Sequence, residues 1–302
     1  MNYRSSRDNS KKQISDSSSK DFPLIEVKEV IRYDMDNDPS SRQRIIEGWD
    51  QEKLKEAKVL VAGAGATGNE LVKNLLLLGV GTIFVVDFDY VIPANLSKCI
   101  FFDKEDAKKR APKAEALARK AKMFDPYGYI NIIPVVRDIT KISYDDKTFK
   151  EPDIFVIGLD NIYSRIYLNI ASVMNRKPLI DTGMEGFNGY VQVVEPGKTA
   201  CLNCTLSSFQ LNQLYERISC SGNIDENSIP KMPSVITTTS IVAAVAAQET
   251  VKIILNSSDQ KNHTFQTLSG KILYYCGRTN FIGVFSVERN PSCEVCKDLF
   301  NE

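Results

Sequence analysis

Four of the seven cysteines lie in two C-x-x-C pairs, Cys201/Cys204 and Cys293/Cys296. Two such pairs on short turns supply four thiolates, the ligand set of a tetrahedral structural zinc site with no open position. The alternative is two redox-active pairs, but these would need a thioredoxin-like helix start, which neither pair shows. The sequence therefore predicts a zinc ion that pins the C-terminal end of the chain to a mid-chain loop.

A second group suited to chemistry is the glycine motif of Gly63, Gly65 and Gly68, between the apolar run KVLVA and the segment NELVKNL. Glycines at a strand-to-helix turn let the backbone approach a phosphate, and the helix N-terminus offers free N–H groups. An acidic residue about 20 positions further on holds the ribose in such sites; Asp87 fits, and Asp89 is the alternative. A tight turn without a ligand, or an NAD-dependent oxidoreductase, would show the same pattern.

Alternating strand-like and helix-like segments surround these residues and predict an α/β fold with a doubly wound, mostly parallel Rossmann-like sheet. Asp50 is suited to cap a short helix that runs through Glu56, and Gly79 to end the helix after the glycine motif. A mixed or antiparallel half is expected from GYVQVVEPG onwards. It would contain a long helix over 237–255 and terminal strands in KILYYCG and FIGVFSVERN.

Composition argues against several classes of protein. The 38 basic and 38 acidic residues balance, which gives no support for a nucleic-acid or anionic-membrane binder. The single histidine, His263, argues against a histidine-based triad or a His-rich metal site. No signal-peptide pattern is present, and the longest uncharged stretch, 232–248, falls short of a membrane span. We therefore expect a cytoplasmic protein, with a disordered or weakly ordered tail over 1–38 and one domain over 39–302.

Four motifs, in order, resemble the adenylation domain of ubiquitin-activating enzymes: GAGATGNELVKNLLLLGVG, VVDFDYVIPANLSK, APK and GLDN. The prokaryotic ThiF-, MoeB- and HesA-type proteins, which adenylate ThiS-like and MoaD-like sulfur carriers, share these motifs. The resemblance runs from about Ser41 to the C-terminus. The chain resembles the compact members of this superfamily, which have a single adenylation domain.

The resemblance implies that a C-terminal glycine carboxylate attacks the α-phosphate of ATP and that pyrophosphate leaves. The nucleophile is already ionised at neutral pH, so no general base is required. Repulsion between the anions must instead be offset by cations and by a carboxylate that holds Mg²⁺. The residues that the resemblance assigns to ATP and Mg²⁺ are Asn95, Lys98, Lys113, Asp160 (the magnesium ligand) and Asn161.

Two arginines extend the resemblance, and three positions depart from the family's motifs. Arg42 matches an arginine that reaches into the partner subunit's ATP site in dimeric relatives, and Arg165 is expected to support the loop of Asp160. Lys98 stands where the family has arginine, and a lysine lacks the bidentate geometry of a guanidinium. Cys99 replaces the usual glutamine, and Ala66-Thr67 replaces a pair of glycines.

Three further thiols have different surroundings in the sequence. Cys99 and Cys276 lie in apolar runs and are predicted to be inert core residues. Cys220 lies in the polar segment RISCSGNIDENSIPKMP, where the resemblance places a reactive cysteine that attacks the acyl-adenylate to form a thioester. Lys231 is the nearest cation that would lower its pKa.

The predicted protein is thus a homodimeric ubiquitin-like modifier-activating enzyme that uses ATP, Mg²⁺ and Zn²⁺. Its partner would be a small β-grasp protein ending in Gly-Gly, with a conjugating enzyme as a further partner, and with no nucleic acid or membrane. The alternatives are a sulfur-carrier adenylyltransferase that leads to a thiocarboxylate, a non-catalytic scaffold subunit and an NAD-dependent oxidoreductase. The intact pair of Lys113 and Asp160 argues against the scaffold.

Overall fold

An eight-stranded sheet forms the centre of the computed structural model, which describes residues 37–205, 233–257 and 265–300. Its strands are β1 (Lys58–Ala62), β2 (Thr82–Val86), β3 (Asn131–Val135), β4 (Ile154–Ile157), β5 (Leu179–Glu185), β6 (Asn188–Val194), β7 (Lys271–Cys276) and β8 (Phe281–Ser286). The helices in these ranges are α1 (Gln51–Glu56), α2 (Ala66–Leu78), α3 (Lys104–Lys109), α4 (Lys113–Lys122), α5 (Lys147–Lys150), α6 (Ile162–Asn175) and α7 (Ile236–Asn256). The predicted tail over 1–38 lies outside the described residues except for its last two positions.

The strand order is β3-β2-β1-β4-β5-β6-β7-β8. The pairs from β3 through to β5 are parallel, and those that join β5, β6, β7 and β8 are antiparallel. The predicted doubly wound sheet with an antiparallel C-terminal half is therefore confirmed. From β1 the chain winds to one side for β2 and β3 and later to the other side for β4. The carboxyl ends of β1 and β4 consequently border the crevice in which such sheets bind ligands.

Local sequence signals set the helix ends where they were expected. The Asp50 side chain accepts hydrogen bonds from the backbone N–H groups of Glu52 and Lys53, at 3.0 and 3.2 Å, and so caps α1. Gly79 ends α2 in the left-handed region with φ 86°. Helix α7 extends one residue beyond the predicted 237–255 at each end.

Apolar side chains fill both faces of the sheet. Helices α2, α4 and α7 cover one face, whereas α5 and α6 cover the other. Strands β1, β2 and β4 are buried on both faces, which explains their continuous apolar runs in the sequence. The chemistry-bearing residues are consequently left to the loops at the strand ends.

Among the described residues, one helix is long and apolar enough, by length and composition alone, to cross a membrane. This is α7, with 21 residues and a mean hydropathy of 1.3 over its most apolar window. In the structure 61% of that window is buried, because the helix packs on α2, β5 and β6. Such burial is characteristic of a core helix.

Two features differ from the sequence-based expectations. Cys276 is half-buried at the end of β7 and is not a core residue, because β7 and β8 carry no covering helix among the described residues. The short helices α3 and α5 were not predicted, since neither is long enough to show a clear apolar period.

The crowding at Gly79 provides a test of the packing at the end of α2. Gly79 and Gly128 both have positive φ, 86° and 77°, so alanine at either position is expected to cost about 1–2 kcal/mol from backbone strain. A Cβ at Gly79 would lie 2.1 Å from Gln51 Nε2, whereas nothing lies within 4 Å of one at Gly128. We expect Gly79→Ala to lower the free energy of unfolding by about 1–3 kcal/mol more than Gly128→Ala. Urea denaturation of both variants measures this difference, and equal losses would contradict the crowding.

Candidate functional site

The glycine turn between β1 and α2 forms the floor of the candidate site. A Cβ at Gly68 would lie 1.9 Å from the carbonyl oxygen of Gly63, and one at Gly63 would lie 2.7 Å from that of Gly158 at the end of β4. Only glycine permits these approaches. A Cβ at Gly65, in contrast, would have nothing within 4 Å, so open space lies next to the start of α2. The turn therefore offers a ligand both room and the free N–H groups of a helix N-terminus.

Asp87, just after β2, is tied to this turn. Its carboxylate accepts hydrogen bonds from the backbone N–H groups of Ala64 at 2.7 Å and of Asp89 at 2.8 Å. Burial raises the pKa of Asp87, although the Lys113 charge and the two N–H groups oppose this shift. Each carboxylate oxygen accepts one of these hydrogen bonds and keeps a further lone pair that can accept from a ligand hydroxyl.

Lys113, the first residue of α4, lies beside the same acidic residues. Its Nζ donates to Asp89 Oδ2 at 2.6 Å, and its backbone N–H donates to the carbonyl oxygen of Asp89 at 2.8 Å. The side chain is only 13% exposed. Burial opposes the charged form, but the Asp87 and Asp89 carboxylates outweigh it and raise the pKa of Lys113. Lys113 is therefore a fixed positive charge at the mouth of the glycine turn.

Asn95 and Lys98 lie in the loop between β2 and α3. The Asn95 side chain accepts from the backbone N–H of Ile92 at 2.9 Å and so shapes its own turn. Lys98 Nζ donates to Ser234 Oγ at 2.9 Å and lines a cavity of about 230 Å³ together with Glu70 and Cys99. Sequence reasoning missed Ser234, because a partner 136 positions away leaves no local signal.

At the carboxyl end of β4, Asp160 is exposed and Asn161 caps α6. The Asn161 side chain accepts from the backbone N–H of Ser164 at 2.7 Å, which accounts for this residue structurally. Arg165 does not support the Asp160 loop through its side chain. Its guanidinium instead forms a two-point contact with the buried carboxylate of Asp181 on β5, with the Nε–Oδ1 distance at 3.0 Å.

A cavity of about 530 Å³ opens between α6 and the strands β5, β6 and β7. It is lined by the Arg165–Asp181 pair and by Tyr190, whose hydroxyl donates to Asp181 at 2.9 Å. Gln192 also lines it, and its buried Nε2 has no hydrogen-bond partner among the described residues. Sequence reasoning missed this cavity. The available signal was that Tyr190 and Gln192, two positions apart in the strand-like run GYVQVV, must face the same side.

The four C-x-x-C cysteines converge although the pairs are 92 positions apart. Their sulfurs all lie within 4.8 Å of one another, with separations of 3.9 Å for Cys201–Cys204, 3.7 Å for Cys201–Cys293 and 3.5 Å for Cys204–Cys296. Sulfurs at the corners of a tetrahedral zinc site are about 3.8 Å apart, given Zn–S bonds of about 2.3 Å. The predicted cluster is thus formed, and it could hold a zinc ion.

Helix α6 fixes the first cysteine pair in place. The fully buried Asn169 accepts from the backbone N–H of Leu202 at 3.1 Å and donates to Asn203 Oδ1 at 2.9 Å. Burial raises the pKa of the Cys201 thiol to about 12 in the metal-free chain. A bound cation would reverse that preference, since a coordinating thiol is deprotonated.

Arg42 lies in an exposed turn that is anchored to the rest of the fold. Within this turn, Arg44 Nε donates to Asp38 and to Ser40, at 3.2 and 2.7 Å. Gln43 donates to the carbonyl oxygen of Leu77 at 3.3 Å. Arg42 itself has no ion pair with a residue in the part of the chain that the structure describes.

Of the four remaining predicted residues, two lie outside the described residues and two lie within them. Cys220 and Lys231 lie outside the described residues. Cys99 is buried, as expected, and burial raises its pKa to about 12. Hydrogen bonds from the side chain and the backbone of Thr279 lower the pKa of Cys276, and the opposing effect of burial is smaller.

Comparison with known proteins agrees with this geometry. The profile of the ThiF family matches residues 40–295. A ubiquitin-activating enzyme E1-like protein of Saccharomyces cerevisiae is 34% identical over 154 residues, which are 51% of this chain and 23% of the relative. The ThiS sulfur carrier adenylyltransferase of Bacillus subtilis is 32% identical over 161 residues, 53% of this chain and 47% of the relative.

Among solved structures, E. coli MccB with AMPCPP and MccA has a TM-score of 0.67 and 24% identity, over 86% of this chain and 75% of MccB. This likeness shows the fold. The chain spans less than half the length of the two curated relatives, whereas the family profile covers most of the chain. The chain belongs to the ThiF family.

Proposed function

We propose that this chain uses ATP and Mg²⁺ to adenylate the C-terminal glycine carboxylate of a small β-grasp protein. The observation that carries the proposal is the convergence of the glycine turn, Asp87 and the Lys113–Asp89 pair at the carboxyl ends of β1 and β2. The named relatives include ubiquitin-activating and sulfur-carrier-activating proteins, which supports this substrate class. Family membership favours adenylation over the NAD-dependent alternative.

In this proposal, different site residues contact different parts of the nucleotide. The N–H groups at the start of α2 face the phosphates, and the free lone pairs of Asp87 accept from the ribose hydroxyls. Lys113 keeps one proton on Asp89 and has two more for phosphate oxygens. Structures of MccB with ATP support a nucleotide in this fold.

Asp160 suits a hard cation. It is exposed beside the end of β4, and no ion pair engages it among the described residues. A free carboxylate at this place is the kind of ligand that Mg²⁺ takes together with phosphates. When bound, Mg²⁺ would neutralise phosphate charge; the chain's own contribution is to hold Lys113 and Asp160 so that two anions can meet.

The cavity of about 530 Å³ is proposed to take the C-terminal tail of the β-grasp protein. Ile162, two residues after Asp160 in the chain, lines this cavity, which supports a tail bound next to the proposed Mg²⁺ ligand. The unpartnered Gln192 amide and the Tyr190 ring offer a peptide backbone one donor and one flat apolar surface.

The fate of the acyl-adenylate separates two candidates. Attack of the Cys220 thiolate on the acyl-adenylate would break the acyl–phosphate bond, release AMP and give a thioester. The chain would then be a modifier-activating enzyme with a conjugating enzyme downstream. The relative that activates ThiS favours the second candidate, in which the adenylate leads to a thiocarboxylate. We further propose a cytoplasmic homodimer in which the exposed Arg42 of each protomer completes the partner's site.

We also propose that Cys201, Cys204, Cys293 and Cys296 bind a structural Zn²⁺. The proposal is supported by sulfur separations close to those of a tetrahedral site and by the burial of three of the four cysteines.

Lysine substitutions test the nucleotide site. We expect Lys113→Gln to lower ATP–pyrophosphate exchange by at least about 10²-fold, because it removes a fixed cation from the transferring phosphates. Lys120→Gln is the matched control, since Lys120 lies on the same helix and pairs with Asp103 instead. The control should stay within about twofold of wild type. Equal losses in both variants would count against a specific role for Lys113.

Intact-mass measurement distinguishes the two fates. Wild type, Cys220→Ala and Cys276→Ala are incubated with ATP, Mg²⁺ and a Gly-Gly-ending β-grasp protein. A reductant-labile adduct in wild type and Cys276→Ala, absent from Cys220→Ala, is the expected result for the thioester. Pyrophosphate release without any adduct would favour a sulfur-carrier adenylyltransferase and would exclude Cys220 as the acyl acceptor.

Metal analysis tests the cysteine cluster. Purified protein should contain one zinc per chain, and Cys293→Ser should lose the metal and lower Tm. The physical reason is that three thiolates bind zinc less tightly and one end of the chain is released. Cys276→Ser should keep both the metal and the wild-type Tm. The structural role would be refuted if purified wild-type protein contained no zinc. It would also be refuted if removal of the zinc by a chelator left the Tm unchanged.

A further inference from the structure

The contact between Lys98 and Ser234 joins two distant parts of the chain. Lys98 Nζ donates to Ser234 Oγ at 2.9 Å, across a separation of 136 residues. The Lys98 side chain is half-buried. Within the described ranges Ser234 is the acceptor that the Lys98 ammonium contacts, and this bond restricts the rotamers of the long side chain.

Ser234 is itself held by the backbone. It pairs with Gly186 in an isolated β-bridge, and the backbone N–H of Gly186 donates to the carbonyl oxygen of Pro233 at 2.8 Å. Two residues later α7 begins, and that helix packs on α2 and on the sheet. The Ser234 hydroxyl therefore projects from a fixed backbone and provides a rigid acceptor.

Lys98 lies in the same charged neighbourhood as the proposed nucleotide ligands. Burial raises the pKa of the adjacent Cys99 thiol, and after burial the charges of Lys113, Lys98 and Asp87 act on it most strongly. Lys98 also lines one cavity with Glu70 of α2, the helix that begins at the glycine turn. The cavity of about 230 Å³ beside Lys98 leaves its ammonium accessible.

A lysine needs more positioning than an arginine at a phosphate site. The guanidinium presents its donors in a rigid fork, whereas the ammonium is carried on a flexible four-carbon stem. A hydroxyl that accepts one of the three N–H groups would fix the stem and leave two donors for phosphate oxygens.

We propose that Ser234 is a positioning residue for Lys98, and that it holds the ammonium where it contacts the phosphates of ATP. The proposal rests on the proposed function, because it needs ATP in the site. Ser234 acts only through Lys98, so its effect on KM for ATP should disappear when residue 98 cannot donate a hydrogen bond to the Ser234 hydroxyl.

A double-mutant cycle tests this dependence. Ser234→Ala should raise KM for ATP in pyrophosphate exchange about five- to tenfold, with kcat changed less than twofold. Ser234→Thr, which keeps the hydroxyl, should stay within twofold of wild type. In a Lys98→Met background, Ser234→Ala should have no further effect. Ser143→Ala is the control, since Ser143 is an exposed serine before α5 that does not line the cavity beside Lys98, and it should leave KM unchanged.

Three results would overturn the proposal. One is an unchanged KM in Ser234→Ala, and another is an equal rise in KM in the wild-type and Lys98→Met backgrounds. The third is a lower Tm and a raised KM in both Ser234→Ala and Ser234→Thr, which would indicate that Ser234 has a purely structural role. Calorimetric titration of wild type with ATP separates this inference from the proposed function. If wild type binds ATP and Ser234→Ala leaves KM unchanged, only the role of Ser234 is refuted. If wild type does not bind ATP, both the role of Ser234 and the proposed function are refuted.

Discussion

The close approach of three glycine backbones is the constraint on which the rest of the site depends. Gly63 at the end of β1, Gly68 in the first turn of α2 and Gly158 at the end of β4 meet at distances that no Cβ would allow. This approach brings the carboxyl ends of the two central strands and a helix N-terminus together. Asp87 then adds the end of β2 through its bond to the Ala64 N–H. Each charged group in the candidate site is placed relative to this junction.

Features with a local cause could be predicted from the sequence. Asp50 caps α1 through bonds to the next residues, and Gly79 ends α2 because its left-handed backbone suits glycine. The apolar runs of β1, β2 and β4 reveal strands buried on both faces. Convergence of the cysteines was also predictable, because thiolate spacing carries its own chemical signature. Apart from the cysteine pairs, which are 92 positions apart, the cause and the effect lie within a few residues of each other.

Features that depend on register between distant segments could not be predicted. The Arg165–Asp181 pair requires α6 to lie over β5 in one particular alignment, and the sequence suggested a different role for Arg165. The Lys98–Ser234 contact joins a loop to the lead-in of α7. Cys276 was expected in the core because its neighbours are apolar, yet no described helix covers β7 and β8. Apolar neighbours indicate a strand, but they do not show which of its faces is covered.

The 92-residue separation between the two cysteine pairs has a consequence for the order of folding. Closing a loop of that length before other contacts form is entropically unfavourable, and the cost grows with the logarithm of loop length. The segment between the pairs contains α7, β7 and β8, and the packing of α7 and β7 on β6 shortens the effective loop. Ligation of the proposed zinc should therefore be a late event that follows assembly of the sheet. Until then four thiols remain open to oxidation, so the redox state of the medium should influence the yield of refolding.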